Sequence, residues 1–225
     1  MYTFVIVRAA LELIPKALWN HPAVKKWAET RRKHPSKMLL DQTLHFSAMR
    51  KLKNFENRGR ADILHRALLT ILDSRLSRRG LVSAIIIHTI EERYFIVKPN
   101  VRIPRHYFRF MGVMEDLLQR GVIQADNGEI LMWEVASLDQ ILREFSISYI
   151  ICLEVGGERK RIIDILQQIK GNVAIIIGAA PHENIPEKFL KMANSIIEID
   201  SERLTTSYVL CNLIVELERY HGIVS

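Results

Sequence analysis

The sequence predicts an α/β fold in which helices flank a largely parallel sheet. Short runs rich in β-branched residues alternate with segments whose apolar residues recur at helical spacing. Most of the short runs are apolar throughout, which is typical of strands buried on both faces of a parallel sheet. The chain has 225 residues, 48% of them hydrophobic and 25% charged, and this suffices for one extensive core. Because no repeat or flexible linker divides the chain, we predict one domain over residues 1–225.

Individual elements follow from length, composition and periodicity. The predicted strands cover residues 3–7, 81–88, 94–97, 147–153, 172–177 and 195–199. The predicted helices cover residues 61–72, 107–118, 138–145, 159–169 and 205–220. Gly121, Asn127 and Gly128 indicate a turn, and the pair Gly156-Gly157 interrupts the C-terminal part.

The two parts of the chain carry opposite net charge. Residues 1–120 contain 23 basic and 10 acidic side chains, whereas residues 121–225 contain 9 basic and 15 acidic ones. A positive surplus confined to one part of a chain favours a polyanionic partner, because each neutralised phosphate releases condensed counterions. We therefore expect the part from about 1 to 120 to bind nucleic acid. A basic face that serves only solubility is the alternative.

Several classes of protein are disfavoured by what the sequence lacks. No apolar run reaches the ~18 residues that a membrane helix needs, and Arg8 and Glu12 lie where the apolar part of a secretion signal would be. Cys152 and Cys211 have apolar neighbours, which predicts buried, reduced thiols. Glycine-rich phosphate loops, zinc-protease motifs and paired cysteines are absent. We therefore expect a cytoplasmic protein without a membrane partner.

The histidines give no strong indication of a metal site. Asp41 and His45 lie four residues apart and could share a helix face, but two residues make an incomplete ligand set. His65 and His88 lie in apolar periodic segments, where a histidine usually packs in the core. The sequence therefore predicts no metal.

Arginines are concentrated at the predicted starts of two helices. Arg60 directly precedes one helix, and Arg102 and Arg105 precede the helix that carries Arg109. Helix N-termini offer free backbone N–H groups to an anion, and the guanidinium fork suits phosphate oxygens and base edges. Asp62 is placed to pair with Arg60 across the turn and to fix its fork. We predict an RNA-binding role for these residues, with surface salt bridges as the alternative for either cluster alone.

Seven motifs occur in the order and spacing of one known family. They are LDQTLH (40–45), RGRADILH (58–65), LDS (72–74), IHT (87–89), RIPRHYFRFMGVM (102–114), IIGAAPH (176–182) and IDSERL (199–204). Together they resemble the SPOUT-class ribosome-biogenesis methyltransferases, which methylate ring nitrogen N1 of a pseudouridine in small-subunit rRNA. The resemblance covers nearly the whole chain, and the compact chain is similar to archaeal members.

The resemblance implies S-adenosylmethionine as cofactor, a SPOUT-type sheet with a C-terminal trefoil knot, and a homodimer. The implied cofactor-binding residues are Leu153, Gly178, Glu183, Ile199, Asp200, Ser201, Glu202, Arg203 and Leu204. The implied rRNA-binding residues are Arg60, Arg102, Arg105 and Arg109, with Asp62 orienting Arg60. The acidic part, about 121–225, would then bind the cofactor and the basic part the small-subunit rRNA, which matches the charge asymmetry. Ribosomal proteins are left open as further partners, and no residue is identified as a catalytic base.

Two residues depart from the family's motifs. Ala61 stands where the family usually has proline, a change that retains both arginines and the aspartate of the turn. Glu183 stands where the family has a glycine in the cofactor loop. If that backbone has positive φ, a glutamate there costs about 1 kcal/mol or more. Two alternatives to the methyltransferase remain: a noncatalytic RNA-binding ribosome-assembly factor with the same fold, and a metabolic α/β enzyme.

Overall fold

One eight-stranded sheet runs through the computed structural model, which describes residues 1–224. The strands are β1 (Tyr2–Ala9), β2 (Val82–Thr89), β3 (Tyr94–Val97), β4 (Val122–Gln124), β5 (Ile130–Val135), β6 (Ile147–Arg159), β7 (Asn172–Gly178) and β8 (Ser195–Glu198). Their order across the sheet is β4-β5-β3-β2-β1-β7-β6-β8. The first strand of the chain therefore lies inside the sheet, between β2 and β7.

The sheet has a parallel part and an antiparallel part. All six predicted strands are present, and five of them (β2, β1, β7, β6 and β8) pair in parallel. Strands β3, β5 and β4 extend the sheet through antiparallel pairs. The sequence did not predict β4 and β5, because β4 has three residues and β5 is only half-buried. The turn predicted at Asn127 and Gly128 is present between them, with Gly128 at a φ of 82°.

Helices cover both faces of the sheet. They are α1 (Pro22–Arg31), α2 (Gln42–Met49), α3 (Ala61–Asp73), α4 (Arg75–Arg78), α5 (Tyr107–Arg120), α6 (Leu138–Glu144), α7 (Ile162–Leu166), α8 (Glu187–Met192) and α9 (Thr206–Tyr220). The predicted helices correspond to α3, α5, α6, α7 and α9. α7 is shorter than the predicted 159–169, because β6 continues to Arg159. α1 was missed because it buries only Val24 and so has little apolar periodicity.

Strand β1 shows why the apolar runs belong to the interior. Phe4 and Ile6 point into a core formed with α3, α5, α7 and α9, whereas Val5 and Val7 point into a core formed with α6 and α8. A strand buried on both faces needs apolar side chains at successive positions. The basic part of the chain thus supplies a central strand to the sheet that it shares with the acidic part.

A third, smaller core lies beneath α1 and α2, and a buried carboxylate connects it to α5. Glu115 of α5 is fully buried and accepts hydrogen bonds from Arg31, Lys33 and the backbone N–H of Leu39, at 3.0, 2.7 and 3.1 Å. A buried charge is tolerated when it is paired in this way. Arg31 and Lys33 therefore stabilise the fold, because they neutralise the buried charge of Glu115.

The two cysteines are free thiols in different surroundings. Cys152 is buried in β6 as predicted, and burial raises the pKa of its thiol to about 12. Cys211 is exposed, so the prediction of a buried thiol is wrong there. Its neighbours on α9, Leu210 and Leu213, point into the hydrophobic core of the protein. Cys211 therefore lies on the outer face of the helix.

The structure bears on two further expectations. No helix within residues 1–224 is both long and apolar enough to span a bilayer. The α/β sheet with flanking helices is confirmed. The C-terminal trefoil knot stays a prediction, as does the treatment of residues 1–225 as one domain.

Candidate active site

A cavity of about 370 Å³ opens at the carboxyl ends of the parallel strands β6, β7 and β8. Ligands of α/β proteins commonly bind at this edge of the sheet, and the volume lies in the range of small-molecule sites. The wall is formed by the ends of these strands, the loops after β7 and β8, and the first turns of α3 and α9. The cavity therefore joins elements from the basic and the acidic parts of the chain.

The structure brings most of the expected cofactor residues together in this cavity. Those that line it are Leu153, Gly178, Glu183, Ile199, Asp200, Glu202, Arg203 and Leu204. Ser201 is not part of the lining. Leu153, Ile199 and Leu204 supply apolar surface, whereas Asp200 and Glu202 supply carboxylates. The set suits a ligand that combines an aromatic ring with hydroxyl and amino groups.

Strand β6 supplies further lining residues that sequence reasoning missed. Its pairing with β8 shifts register between Leu153 and Glu158, so the intervening residues bulge towards the cavity. Gly157 is required there, because a Cβ would lie 2.8 Å from the carbonyl oxygen of Ile196. The bulge places Glu154 at the cavity, where its Oε2 accepts a hydrogen bond from the N–H of Ile185 at 2.7 Å. The glycine pair at residues 156 and 157, separated by two residues from the predicted strand, indicates this bulge in the sequence.

The loop after β7, residues 179–186, is held by neighbouring elements at its start and in its middle. The N–H of Ala179 donates to the carbonyl of Val7 at 2.8 Å, and the hydroxyl of Thr206 donates to the carbonyl of Gly178 at 2.8 Å. The N–H of His182 donates to the side-chain oxygen of Asn57 at 2.9 Å. We call this segment the cofactor loop. Its position is thus determined by β1, α9 and the turn that precedes α3.

The expected backbone strain at Glu183 is absent. Among residues 1–224, the non-glycine residues with positive φ are Arg8, Arg32, Asn54, Glu92 and Ser146. Glutamate at position 183 therefore adopts an ordinary backbone conformation, and the predicted penalty does not apply. Its carboxylate instead accepts two hydrogen bonds from the guanidinium of Arg8.

Arg60 and Asp62 form the predicted pair at the start of α3. Arg60 donates from Nε to Oδ1 of Asp62 at 2.8 Å and from Nη2 to Oδ2 at 3.1 Å. Partial burial raises the pKa of Asp62, but its hydrogen bonds and ion pairs with Arg60 and Arg66 outweigh this and hold the pKa below its usual value. Arg60 also lines the cavity, whereas Asp62 does not. The aspartate therefore orients a guanidinium at the edge of the cavity.

The turn before Arg60 is held by a second arginine, Arg58, whose partner is distant in the sequence. Arg58 donates two hydrogen bonds to the buried carboxylate of Glu12, and this pairing raises the pKa of Arg58. Between the two arginines, Gly59 has a φ of 62°, and a Cβ there would lie 3.0 Å from the backbone nitrogen of Gln42. Arg58 therefore has a structural role, because its guanidinium is paired with a buried carboxylate. Arg60 is the arginine of this turn that faces the cavity.

Arg102, Arg105 and Arg109 lie outside the cavity, exposed at the start of α5, and we call them the arginine surface. Arg105 pairs with Asp73 at 3.0 Å. Arg102 and Arg109 form no ion pair with any part of the chain that the structure describes. Their charges are therefore available to a ligand in solution.

One buried histidine, His65, packs beneath this surface, in agreement with the core position predicted from the sequence. The Nε2 of His65 lies 2.7 Å from the carbonyl oxygen of Pro104, and its ring stacks on Phe110 with centroids 4.4 Å apart. Because a carbonyl only accepts, the Nε2 of His65 is the donor. His65 thereby attaches the segment before α5 to α3, so the arginine surface has a fixed relation to Arg60.

Sequence comparison identifies known proteins that are similar to this chain over nearly its whole length. A model of the EMG1/NEP1 methyltransferase family matches residues 4–218. Proteins named ribosomal RNA small subunit methyltransferase Nep1 are similar along their length. The one from Staphylothermus marinus is 38% identical over 99% of this chain and 97% of its own, and the one from Saccharolobus solfataricus is 40% identical over 93% of each.

A solved structure shows the same fold. The crystal structure of Archaeoglobus fulgidus Nep1 bound to S-adenosylhomocysteine superposes with a TM-score of 0.86, at 34% identity over 98% of both chains. The match extends over the sheet and the helices on both faces, and it confirms the predicted SPOUT-type architecture. Together with the family match over residues 4–218, it shows that this chain belongs to the EMG1/NEP1 methyltransferase family.

Proposed function

We propose that this protein transfers a methyl group from S-adenosylmethionine to ring nitrogen N1 of a pseudouridine in small-subunit rRNA. The observation that carries the proposal is the position of Arg60. It lies at the start of α3, where Asp62 orients it, and it also lines the cavity that collects the expected cofactor residues. One side chain thus reaches both the proposed nucleotide and the proposed cofactor. S-Adenosylhomocysteine, the product left after methyl transfer, is bound by the A. fulgidus relative.

The cavity fits S-adenosylmethionine by size and by chemistry. Apolar side chains at the strand ends, Leu153 and Ile177 among them, suit the adenine ring. The loop 199–204 offers backbone groups together with the carboxylates of Asp200 and Glu202, which suit ribose hydroxyls and the amino group. When bound, the cofactor supplies an electrophilic methyl group on its sulfonium. The protein has to hold the target nitrogen in line with that group, and positioning of this kind lowers a barrier by several kcal/mol.

The RNA side of the reaction uses arginines. Arg60, oriented by Asp62, holds the target nucleotide after it leaves its RNA stack, and the arginine surface binds the backbone phosphates around it. The surplus of positive charge in residues 1–120 supports this assignment. A metabolic enzyme would not need exposed arginines outside the cavity, and the strain at Glu183 that favoured a noncatalytic assembly factor is absent.

We further propose a homodimer formed through the outer face of α9. Tyr208, Cys211 and Val215 are exposed at spacings of three and four residues, so they share one side of the helix. Exposed apolar side chains at helical spacing favour a protein partner, and identical chains commonly pair with twofold symmetry. Light scattering at micromolar concentration should give twice the chain mass, and Val215→Asp should reduce it to that of the monomer.

The remaining elements of the proposal follow from the substrate. An rRNA substrate places the enzyme in the cytoplasm where ribosomal subunits are assembled, and ribosomal proteins are the further partners to expect there. Within the single domain, residues 1–120 supply most of the RNA contacts and residues 121–225 most of the cofactor contacts.

Two RNA substrates of identical sequence test the chemistry. N1 of pseudouridine carries a proton, whereas N1 of uridine is bonded to the ribose and cannot accept a methyl group. A fragment of small-subunit rRNA with pseudouridine at the target should gain one methyl group by mass spectrometry, and the uridine fragment should gain none. Methylation of both fragments would show that another atom is the acceptor.

A further inference from the structure

We propose that Arg8 and Glu183 act as a positioning pair, which fixes the cofactor loop against the carboxyl end of β1 and thereby sets the affinity for the cofactor. Arg8 donates from Nε and Nη2 to the same carboxylate oxygen of Glu183, at 2.9 and 2.5 Å. The two residues lie 175 positions apart in the sequence. The affinity readout of this inference depends on the proposed function of the cavity, but its structural readout does not.

The backbone of Arg8 gives the first reason for a functional role. Its φ is 59°, a left-handed conformation that costs free energy for residues with a side chain and persists only where the surroundings hold it. Here the holding group is His88, whose Nδ1 accepts the N–H of Arg8 at 3.3 Å. His88 is completely buried, and burial lowers its pKa to about 4, so its ring stays neutral and keeps Nδ1 free to accept. The proton of the ring is then on Nε2, which faces Glu92 at 3.1 Å.

The strained backbone directs the guanidinium of Arg8 towards the cofactor loop. Nη1 lies 3.5 Å from the carbonyl oxygen of Ile90 and 3.8 Å from the carboxylate of Glu92, while the other two nitrogens engage Glu183. The side chains of Arg8 and Glu183 are 22% and 25% exposed. A pair that is mostly shielded from water is screened less by salt than a surface pair.

The position of Glu183 gives the second reason. It lines the cofactor cavity and also a smaller cavity of about 190 Å³, whose walls include Arg8, Asn57 and Arg58. The side chain is therefore part of the wall between the two spaces. The adjacent residue His182 is bound by Asn57, three positions before Arg60. Through these two contacts, the loop takes its position from both β1 and the turn that presents Arg60.

Two other roles for the pair make different predictions. If the pair only stabilises the fold, its removal lowers the melting temperature and leaves cofactor affinity unchanged. If Glu183 alone binds the cofactor as a free carboxylate, Glu183→Gln weakens binding while Arg8→Gln does not. A positioning pair requires that both changes weaken binding and that their effects are not additive, because either one releases the same contact.

The test is a double-mutant cycle with Arg8→Gln, Glu183→Gln and the double variant. Each substitution removes a charge; Glu183→Gln keeps the size of the side chain, whereas Arg8→Gln shortens it. Calorimetric titration with S-adenosylhomocysteine should show each single variant weakened about fivefold and the double variant no weaker than either single one. Arg93→Gln is the matched control, because Arg93 forms a similar two-bond pair with Glu134 outside both cavities. It should leave the affinity unchanged.

Hydrogen exchange provides the readout that does not depend on cofactor binding. Amides in residues 179–186 should exchange faster in Arg8→Gln and Glu183→Gln than in wild type or Arg93→Gln. Equal affinity and equal exchange in all variants would overturn the positioning pair and leave the proposed function intact. If wild type fails to bind S-adenosylhomocysteine, the proposed function fails, and faster exchange in the two variants would still support the pair.

Discussion

The cofactor cavity and the arginine surface lie at neighbouring parts of the molecule but are built in different ways. The cavity is formed by loops whose backbone donates hydrogen bonds to Val7 of β1 and to Glu154 and accepts one from Thr206 of α9. The arginine surface consists of exposed side chains, of which only Arg105 has an ion-pair partner within residues 1–224. The cavity therefore depends on backbone geometry, whereas the surface depends on charge. Substitutions in the two regions should therefore differ in both size and salt dependence.

The largest effect is expected at Gly157, in the bulge of β6 next to the cavity, where an added Cβ would meet the backbone of β8. Gly157→Ala brings a Cβ within 2.8 Å of the carbonyl of Ile196, so β6 and β8 must separate. We expect the free energy of unfolding to fall by about 3 kcal/mol, with cofactor affinity reduced by about tenfold or more. Denaturant titration and calorimetry measure the two quantities.

Gly112→Ala is the matched control for this substitution. Gly112 lies inside α5, and beyond its own helix backbone and its chain neighbours nothing would lie within 4 Å of an added Cβ. Alanine should therefore raise stability by about 0.5–1 kcal/mol. Wild-type stability and affinity in Gly157→Ala would contradict the view that backbone packing determines the cavity.

Arg60 lines the cavity but is proposed to bind the RNA nucleotide. Arg60→Ala removes charge-assisted hydrogen bonds to the nucleotide. We expect kcat/KM for methyl transfer to fall roughly 30-fold, which corresponds to a loss of about 2 kcal/mol of transition-state stabilisation. Cofactor affinity should change by less than about threefold, since backbone groups supply most contacts. Asp62→Asn should lower kcat/KM less, by about fivefold, because it only loosens the orientation of Arg60. A larger loss of cofactor affinity than of RNA turnover would assign Arg60 to the cofactor instead.

The arginine surface should respond through the salt dependence of RNA binding. Removing Arg109 or Arg102 should weaken binding and lower the slope of log affinity against log salt by about 0.7 to 0.9 for each phosphate that the variant no longer neutralises. Arg105→Ala should act in the same direction but less, since Arg105 already shares its charge with Asp73. Arg143→Ala, which removes an exposed charge from α6, should leave the slope unchanged. An unchanged slope for Arg109→Ala would exclude its phosphate contact.

The smallest effect is a contribution of Asp62 to stability that depends on pH. The pKa of this carboxyl is lowered in the fold, so its stabilisation is complete above its ordinary pKa of about 4 and is lost as the pH falls through the folded value. Because Asp62 is 35% exposed, we expect only about 0.5 kcal/mol. Asp62→Asn and wild type should differ by this amount at neutral pH and be equal near pH ~2. A difference that persists in acid would assign the effect to something other than charge.

Much of the fold could be predicted from local sequence. The interior strands such as β1 and β7 are apolar throughout, and α3 and α5 have clear periodicity, so their positions were predicted closely. The pair of Arg60 and Asp62 was also predictable, because its members are two residues apart. These features depend on residues that are close in the chain.

The features that sequence did not predict depend on contacts between distant residues. The pair of Arg8 and Glu183 joins β1 to the cofactor loop, and only the structure shows that Glu183 is unstrained. Strand β5 is recognised as a strand only through its pairing with β3 and β4. The motif at positions 199–204 also did not distinguish Ser201, which is not part of the cavity lining, from its neighbours. Tertiary contacts determine each of these outcomes.

The separation of the two regions is tested most directly by measuring both affinities at two salt concentrations. Three arginine contacts to phosphate, from Arg102, Arg105 and Arg109, predict that RNA affinity falls roughly 20- to 40-fold between about 50 and 200 mM salt. The affinity for S-adenosylhomocysteine should change by less than about twofold over the same interval, because backbone and apolar contacts are little screened. If both affinities fell together, or if RNA affinity did not depend on salt, the division into a backbone-built cofactor cavity and a charge-built RNA surface would be wrong.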